Sequence, residues 1–140
     1  MGSATEQDLL EERIHSIRRR DRRFSTQAYF FVLDALDYTM SRLGKDALTG
    51  EDRHVGGREL LGCIQDYAAE QFGPMAQLVF DRWGVHASED FGEVVFNLID
   101  AELLSRRPCD SRLDFAENVD FAATFREKHR QCLERIADRR

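Results

Sequence analysis

Apolar residues recur every three or four positions through most of this chain, which is the period of an amphipathic helix. Leu9, Leu10, Ile14 and Ile17 predict a first helix over residues 5–20, with Thr5 as its cap and Asp8 three residues on. Ser25 is placed to cap a second helix running to Leu43, with Tyr29, Val32, Leu33, Leu36, Met40 and Leu43 as its stripe. Phe30 and Phe31 widen that stripe, so this helix is expected at the centre or at a subunit contact. Gly44 supplies a left-handed stop. Residues 45–56 have no period and read as a loop, with Val55 in a brief strand. A third helix over 57–72 carries Leu60, Leu61, Ile64, Ala68 and Phe72 on one side. Gly73-Pro74 breaks it, and a fourth helix restarts at Pro74 with Met75, Leu78, Val79 and Trp83 along it. Gly84 ends that helix, and Val85 is placed for the apolar contact that follows a glycine cap. Ser88 is the expected cap of a fifth helix through about Leu104, with Phe91, Val94, Val95, Leu98, Ile99 and Leu103 facing inward. Asp120 caps a last helix whose Phe121, Phe125, Cys132, Leu133 and Ile136 are expected to face inward.

The period fails between Ser105 and Phe115, where turn residues separate short apolar flanks. That stretch reads as a two-stranded hairpin or as irregular chain. The fold expected is therefore mostly α, a compact multi-helix domain with one short β-hairpin. Residues 1–23 form an N-terminal amphipathic helix with an arginine-rich end, and 24–140 form a single globular helical domain. Over 57–115 the order is helix, helix, tight turn, helix, hairpin, with Leu98-Ile99, Leu103-Leu104-Ser105-Arg106 and Asp110-x-Arg112 at its end. This resembles the core of a winged helix-turn-helix domain. The resemblance implies that 88–101 is a reading helix with Asn97 as its base reader. It implies a wing tip at 106–112, with Arg106, Arg107 and Arg112 on phosphates.

Charge works against that role. The chain has 26 acidic and 20 basic residues, net −6. Residues 57–121 hold thirteen acids against five arginines, net −8, while 122–140 are net +3. A reading helix presents donors to base edges. This one carries Glu89, Asp90, Glu93, Asp100 and Glu102 beside Asn97, so nucleic acid is disfavoured as a partner. The run Arg18-Arg19-Arg20-Asp21-Arg22-Arg23 fits a solvated helix end or an anion- or partner-binding patch.

Little in the chain points to chemistry. Asp90 and Glu93 share a helix face and His86 sits in the turn before them, a weak set of metal-ligand candidates. His54, in the loop ahead of helix three, lacks a defined partner. The pair Gly56-Gly57 precedes a helix without the lysine or glycine pattern of a phosphate loop, and turn geometry explains it. Cys63, Cys109 and Cys132 are odd in number and lack C-x-x-C spacing, which indicates neither disulfides nor a thiolate zinc site and suits a reducing cytoplasm. No apolar run reaches the roughly 18 residues of a membrane span. No catalytic residue and no cofactor are expected.

Several short motifs occur in order: His54-Val55-Gly56-Gly57-Arg58-Glu59-Leu60-Leu61, Gln71-Phe72-Gly73-Pro74-Met75-Ala76, Trp83-Gly84-Val85, and Asp90-Phe91-Gly92-Glu93-Val94-Val95-Phe96-Asn97-Leu98. As a set they resemble an uncharacterised family of small bacterial proteins found largely in Planctomycetes and Verrucomicrobia. Gly57 departs from that pattern, which usually has serine there. The resemblance implies a bacterial cytoplasmic domain and no known activity. The expected function is a noncatalytic protein–protein interaction or regulatory module acting on a protein partner or by self-association as a homodimer. The alternatives are a nucleic-acid-binding winged-helix protein and a small metal-binding protein or enzyme.

Overall fold

The computed structural model describes residues 5–44, 55–104, 112–116 and 119–138. Six α-helices run in the order α1 (Glu6–Arg20), α2 (Thr26–Arg42), α3 (Gly57–Phe72), α4 (Ala76–Arg82), α5 (Ser88–Asp100) and α6 (Phe121–Asp138). Two 3-10 turns, Gly73–Met75 and Arg112–Phe115, complete the described architecture. The mostly helical expectation is met. The hairpin is not: among the described residues there is no strand, and Arg112–Phe115, the end of the stretch read as a hairpin or irregular chain, is a 3-10 turn. Val55 is buried but belongs to no strand. The loop at 45–54 and the wing-tip positions 105–111 lie outside the described residues.

Local chemistry sets the helix boundaries. At α1, the Thr5 hydroxyl accepts from the Asp8 N–H and the Asp8 carboxylate accepts from the Thr5 N–H, a reciprocal cap. At α4, Gly84 (φ +86°) takes the left-handed position, and the Val85 N–H donates to the Phe80 carbonyl at 2.9 Å. This is the glycine stop expected there, and Val85 is fully buried behind it. The same motif ends α5, but early. The Leu103 N–H donates to the Leu98 carbonyl at 2.9 Å, and Glu102 sits at φ +62°. The helix therefore stops at Asp100 rather than continuing to Leu104. Neither serine caps its helix. The Ser25 and Ser88 hydroxyls are buried and lack hydrogen bonds among the described residues. At α5 the Asp90 carboxylate does the capping, accepting from the His86 and Ala87 N–H groups at 2.8 and 3.1 Å.

The core is aromatic. Phe31 on α2 meets Tyr67, Phe72, Phe80, Trp83 and Phe91, and Phe80 on α4 meets Phe91, Phe121 and Phe125. Edge-on and tilted pairs dominate, as ring quadrupoles favour. In α4 the inward face is Ala76 and Phe80, so Met75 and Leu78 face solvent, contrary to the stripe read from the sequence. A seven-residue helix presents barely two turns, and its one large buried ring fixes the phase. Phe115 closes the bottom of the core by entering a slot between two glycines. A Cβ on Gly92 would lie 3.0 Å from the Phe115 Cβ, and one on Gly57 would lie 2.8 Å from the Asp114 Cβ.

Candidate functional site

The candidate residues of the sequence fall into three places. The first is a polar network between the α1–α2 link and α5. The Ser25 N–H donates to the Trp83 carbonyl at 3.0 Å, and the Arg23 carbonyl packs against Gly84. That contact holds residues 21–25 beside α5. Arg23 grips Asp21 with Nε at 2.9 Å and Nη2 at 2.6 Å, and reaches Glu93 at 3.4 Å. Asn97 donates to the Asp21 carboxylate at 3.0 Å and to the Tyr29 hydroxyl at 3.1 Å. Arg112 donates Nε to Glu93 at 3.1 Å and lies over the Phe96 ring, 4.5 Å from its centre. The Arg23 guanidinium holds the Asp21 carboxyl far below the usual carboxylate range, outweighing the opposing effect of burial, and Asn97 adds to it.

This network takes up two of the residues expected to contact DNA, Asn97 and Arg112, which bind the Asp21 and Glu93 carboxylates that Arg23 also holds. α5 itself is the most enclosed long helix, and only Glu89 and Asp100 among its thirteen residues are exposed. A reading helix needs a free outer face to enter a groove. α5 instead has α2 on one side and the Arg112–Phe115 turn on another. The winged-helix reading of 57–115 is therefore overturned on both counts, wing and reading helix. Arg106 and Arg107 lie outside the described residues.

The metal candidates disperse in the same way. Asp90 is used as a cap, the His86 ring pairs with Asp81 at 3.1 Å, and Glu93 holds Arg23 and Arg112. Among the described residues no three metal-ligating side chains gather. His54 lies outside them.

The second place is the outer face at the end of α1. His15, Arg18 and Arg19 on the helix and Arg22 just past its end line an open groove of about 520 Å³. Ile14 and Ile17 point the other way, fully buried. Arg18 is anchored by its Nε, which donates to the Phe24 carbonyl at 3.0 Å, and Arg19 donates to the Ser16 hydroxyl at 2.9 Å. Arg20 and Arg22 are exposed. The sequence exposed this patch through its charge run alone.

The third place was misread. Phe121 and Phe125 of α6 are buried, but Leu133 and Ile136 are 52% and 51% exposed, and Cys132 is exposed too. Lys128 pairs with Asp66, where Arg42 also binds at 2.7 Å. Burial raises the Asp66 carboxyl, yet these two cations outweigh it and leave it below the usual range. Beyond Lys128 every residue from His129 to Asp138 is exposed, so α6 leaves the body as an arm. Periodicity reports which residues share a face, not whether anything covers that face.

Comparisons with family models, curated proteins and solved structures give no match. The likeness to a planctomycete and verrucomicrobial family is therefore not supported. Gly57, its one departure, sits where an added Cβ would crowd Asp114 and Phe115. No described helix is long and apolar enough to cross a membrane.

Proposed function

We propose that this chain is a noncatalytic protein-interaction module that self-associates through the outer half of α6. The observation carrying this reading is the uncovered stripe of Cys132, Leu133 and Ile136, which continues the line of the buried Phe121 and Phe125. At 1.5 Å per residue the exposed arm is about 15 Å long. One side of it is braced by Arg130, which pairs with both Glu127 and Glu134. The apolar positions occupy the other side, a division that favours a helix ready to lie on an apolar surface.

The occupant is a second copy of this chain. Residues 129–138 hold two arginines and two acids, and Arg139 and Arg140 follow, so 129–140 is net +2 against net −8 over residues 57–121, a complementarity available when two copies approach. Met75 and Leu78 are 54% and 56% exposed on the segments against which α6 packs, offering apolar contact in the same neighbourhood. A cytoplasmic location belongs to this reading, and the free thiols of Cys63 and Cys132 suit it.

Sedimentation velocity across a concentration series tests the reading. Wild-type protein is expected to shift from monomer to dimer mass, and Leu133→Glu/Ile136→Glu is expected to remain monomeric with an unchanged helical spectrum. Met75→Glu/Leu78→Glu should weaken the dimer likewise. A wild-type chain that stays monomeric at all concentrations refutes self-association.

A further inference from the structure

A separate observation, independent of α6, concerns the groove on α1. We infer that the groove lined by His15, Arg18, Arg19 and Arg22 binds a chain of linked phosphates, recognised through their negative charge.

Among the described residues its lining carries three guanidinium groups and the imidazole of His15, and no carboxylate. The nearest acid in sequence, Asp21, is drawn off by Arg23 and Asn97 and so does not neutralise the groove. Of the acids of α1, Glu6 and Asp8 stand at its start, while Glu11 and Glu12 lie one turn before His15, at the rim of the groove. Two of the arginines are pre-positioned, Arg18 by the Phe24 carbonyl and Arg19 by Ser16, which lowers the ordering cost of offering a fork to an oxyanion. The groove is open to solvent, and its volume of about 520 Å³ leaves room for more than one phosphate. Several phosphate units in a row fit a line of cations that runs from His15, Arg18 and Arg19 on α1 to Arg22 just past its end.

Two features oppose binding. The C-terminal end of α1 presents a partial negative charge, and the chain as a whole is net −6. The close cations outweigh the first. The second makes association depend strongly on salt.

The phosphates could belong to a free oligophosphate or to a nucleic-acid backbone, and calorimetry with two probes separates these sources. Tripolyphosphate and a single-stranded oligothymidylate are titrated at low ionic strength. Tripolyphosphate is expected to bind, with affinity falling as salt rises and falling at least about tenfold in Arg19→Gln/Arg22→Gln. Arg13→Gln/Arg20→Gln removes the same charge from outside the lining and should bind nearly as wild type. Thermal melting checks that both variants fold. Tighter binding of the oligothymidylate, lost in the same variant, keeps the site and assigns the phosphates to a nucleic acid. Absence of binding by both probes overturns the inference, as does equal loss in the two variants.

Discussion

Glu102 shows how a single residue can hold an element boundary against its own preference. Its φ of +62° is the left-handed position of the stop that ends α5, where glycine is usual. A side chain in that region costs about 1 kcal/mol. Glu102→Gly is therefore expected to stabilise the fold by roughly 0.5–1 kcal/mol in urea unfolding, and a loss of stability would mean that Glu102 makes a compensating contact. Gly84 is the opposite case. An added Cβ would stand 2.2 Å from the Arg23 carbonyl oxygen, so Gly84→Ala should destabilise by more than about 2 kcal/mol. Its effect should include loosening of residues 21–25, which pack on this turn. Asp90 belongs at this scale as well. Asp90→Ala should cost about 1 kcal/mol as a lost cap, and added zinc should leave the melting temperature of both proteins unchanged.

Asp21 links a residue to the pH response of the molecule. Its carboxyl titrates lower in the folded chain than in the unfolded one, so the unfolded state binds protons first as pH falls. The stabilisation is fully present above the unfolded value near 4 and is lost progressively toward the folded value. Asp66 acts in the same direction. Asp21→Asn should therefore flatten the decline of stability between about pH 4 and about pH 2. An unchanged acid profile would show that the Arg23 contact does not persist in solution.

At the scale of elements, boundaries and faces were unequally legible. The Thr5–Asp8 cap and the stops at Gly44 and Gly84 were written in residue types with strong local preferences, and the structure has them. The end of α5 was not legible, because a glutamate does the work of a glycine there. Nor was the role of Phe115. Its slot is made by Gly57 and Gly92, residues 58 and 23 positions away, and a missing side chain leaves no periodic signal. Asn97 and Arg112 looked like contact residues because donors on a surface helix usually are. Their carboxylate partners arrive from distant segments, Asp21 being 76 residues from Asn97. The α1 groove was visible because consecutive arginines advertise themselves. Burial of α6 could not be read at all, since its apolar stripe runs without change from the buried Phe125 to the exposed Ile136. Removing residues 129–140 should thus change the melting temperature of dilute monomer little. A large drop would show that the arm packs on its own body.

The whole molecule combines a closed aromatic core with two open features at its ends, a cationic groove on α1 and an amphipathic arm from α6. The middle of the chain, which carries half of the acids, uses Asp66, Asp81, Asp90 and Glu93 in internal pairs or caps. The outer half of α6, alone among the long helices, spends its apolar residues on nothing described within the chain. Self-association is the account that gives those residues a use, and it makes the arm's exchange behaviour depend on concentration. Backbone amide exchange of residues 129–138, followed at two protein concentrations at least about a hundredfold apart, tests this most directly. Slower exchange across the arm in the concentrated sample, absent in Leu133→Glu/Ile136→Glu, is the predicted result. Equally fast exchange at both concentrations would contradict it.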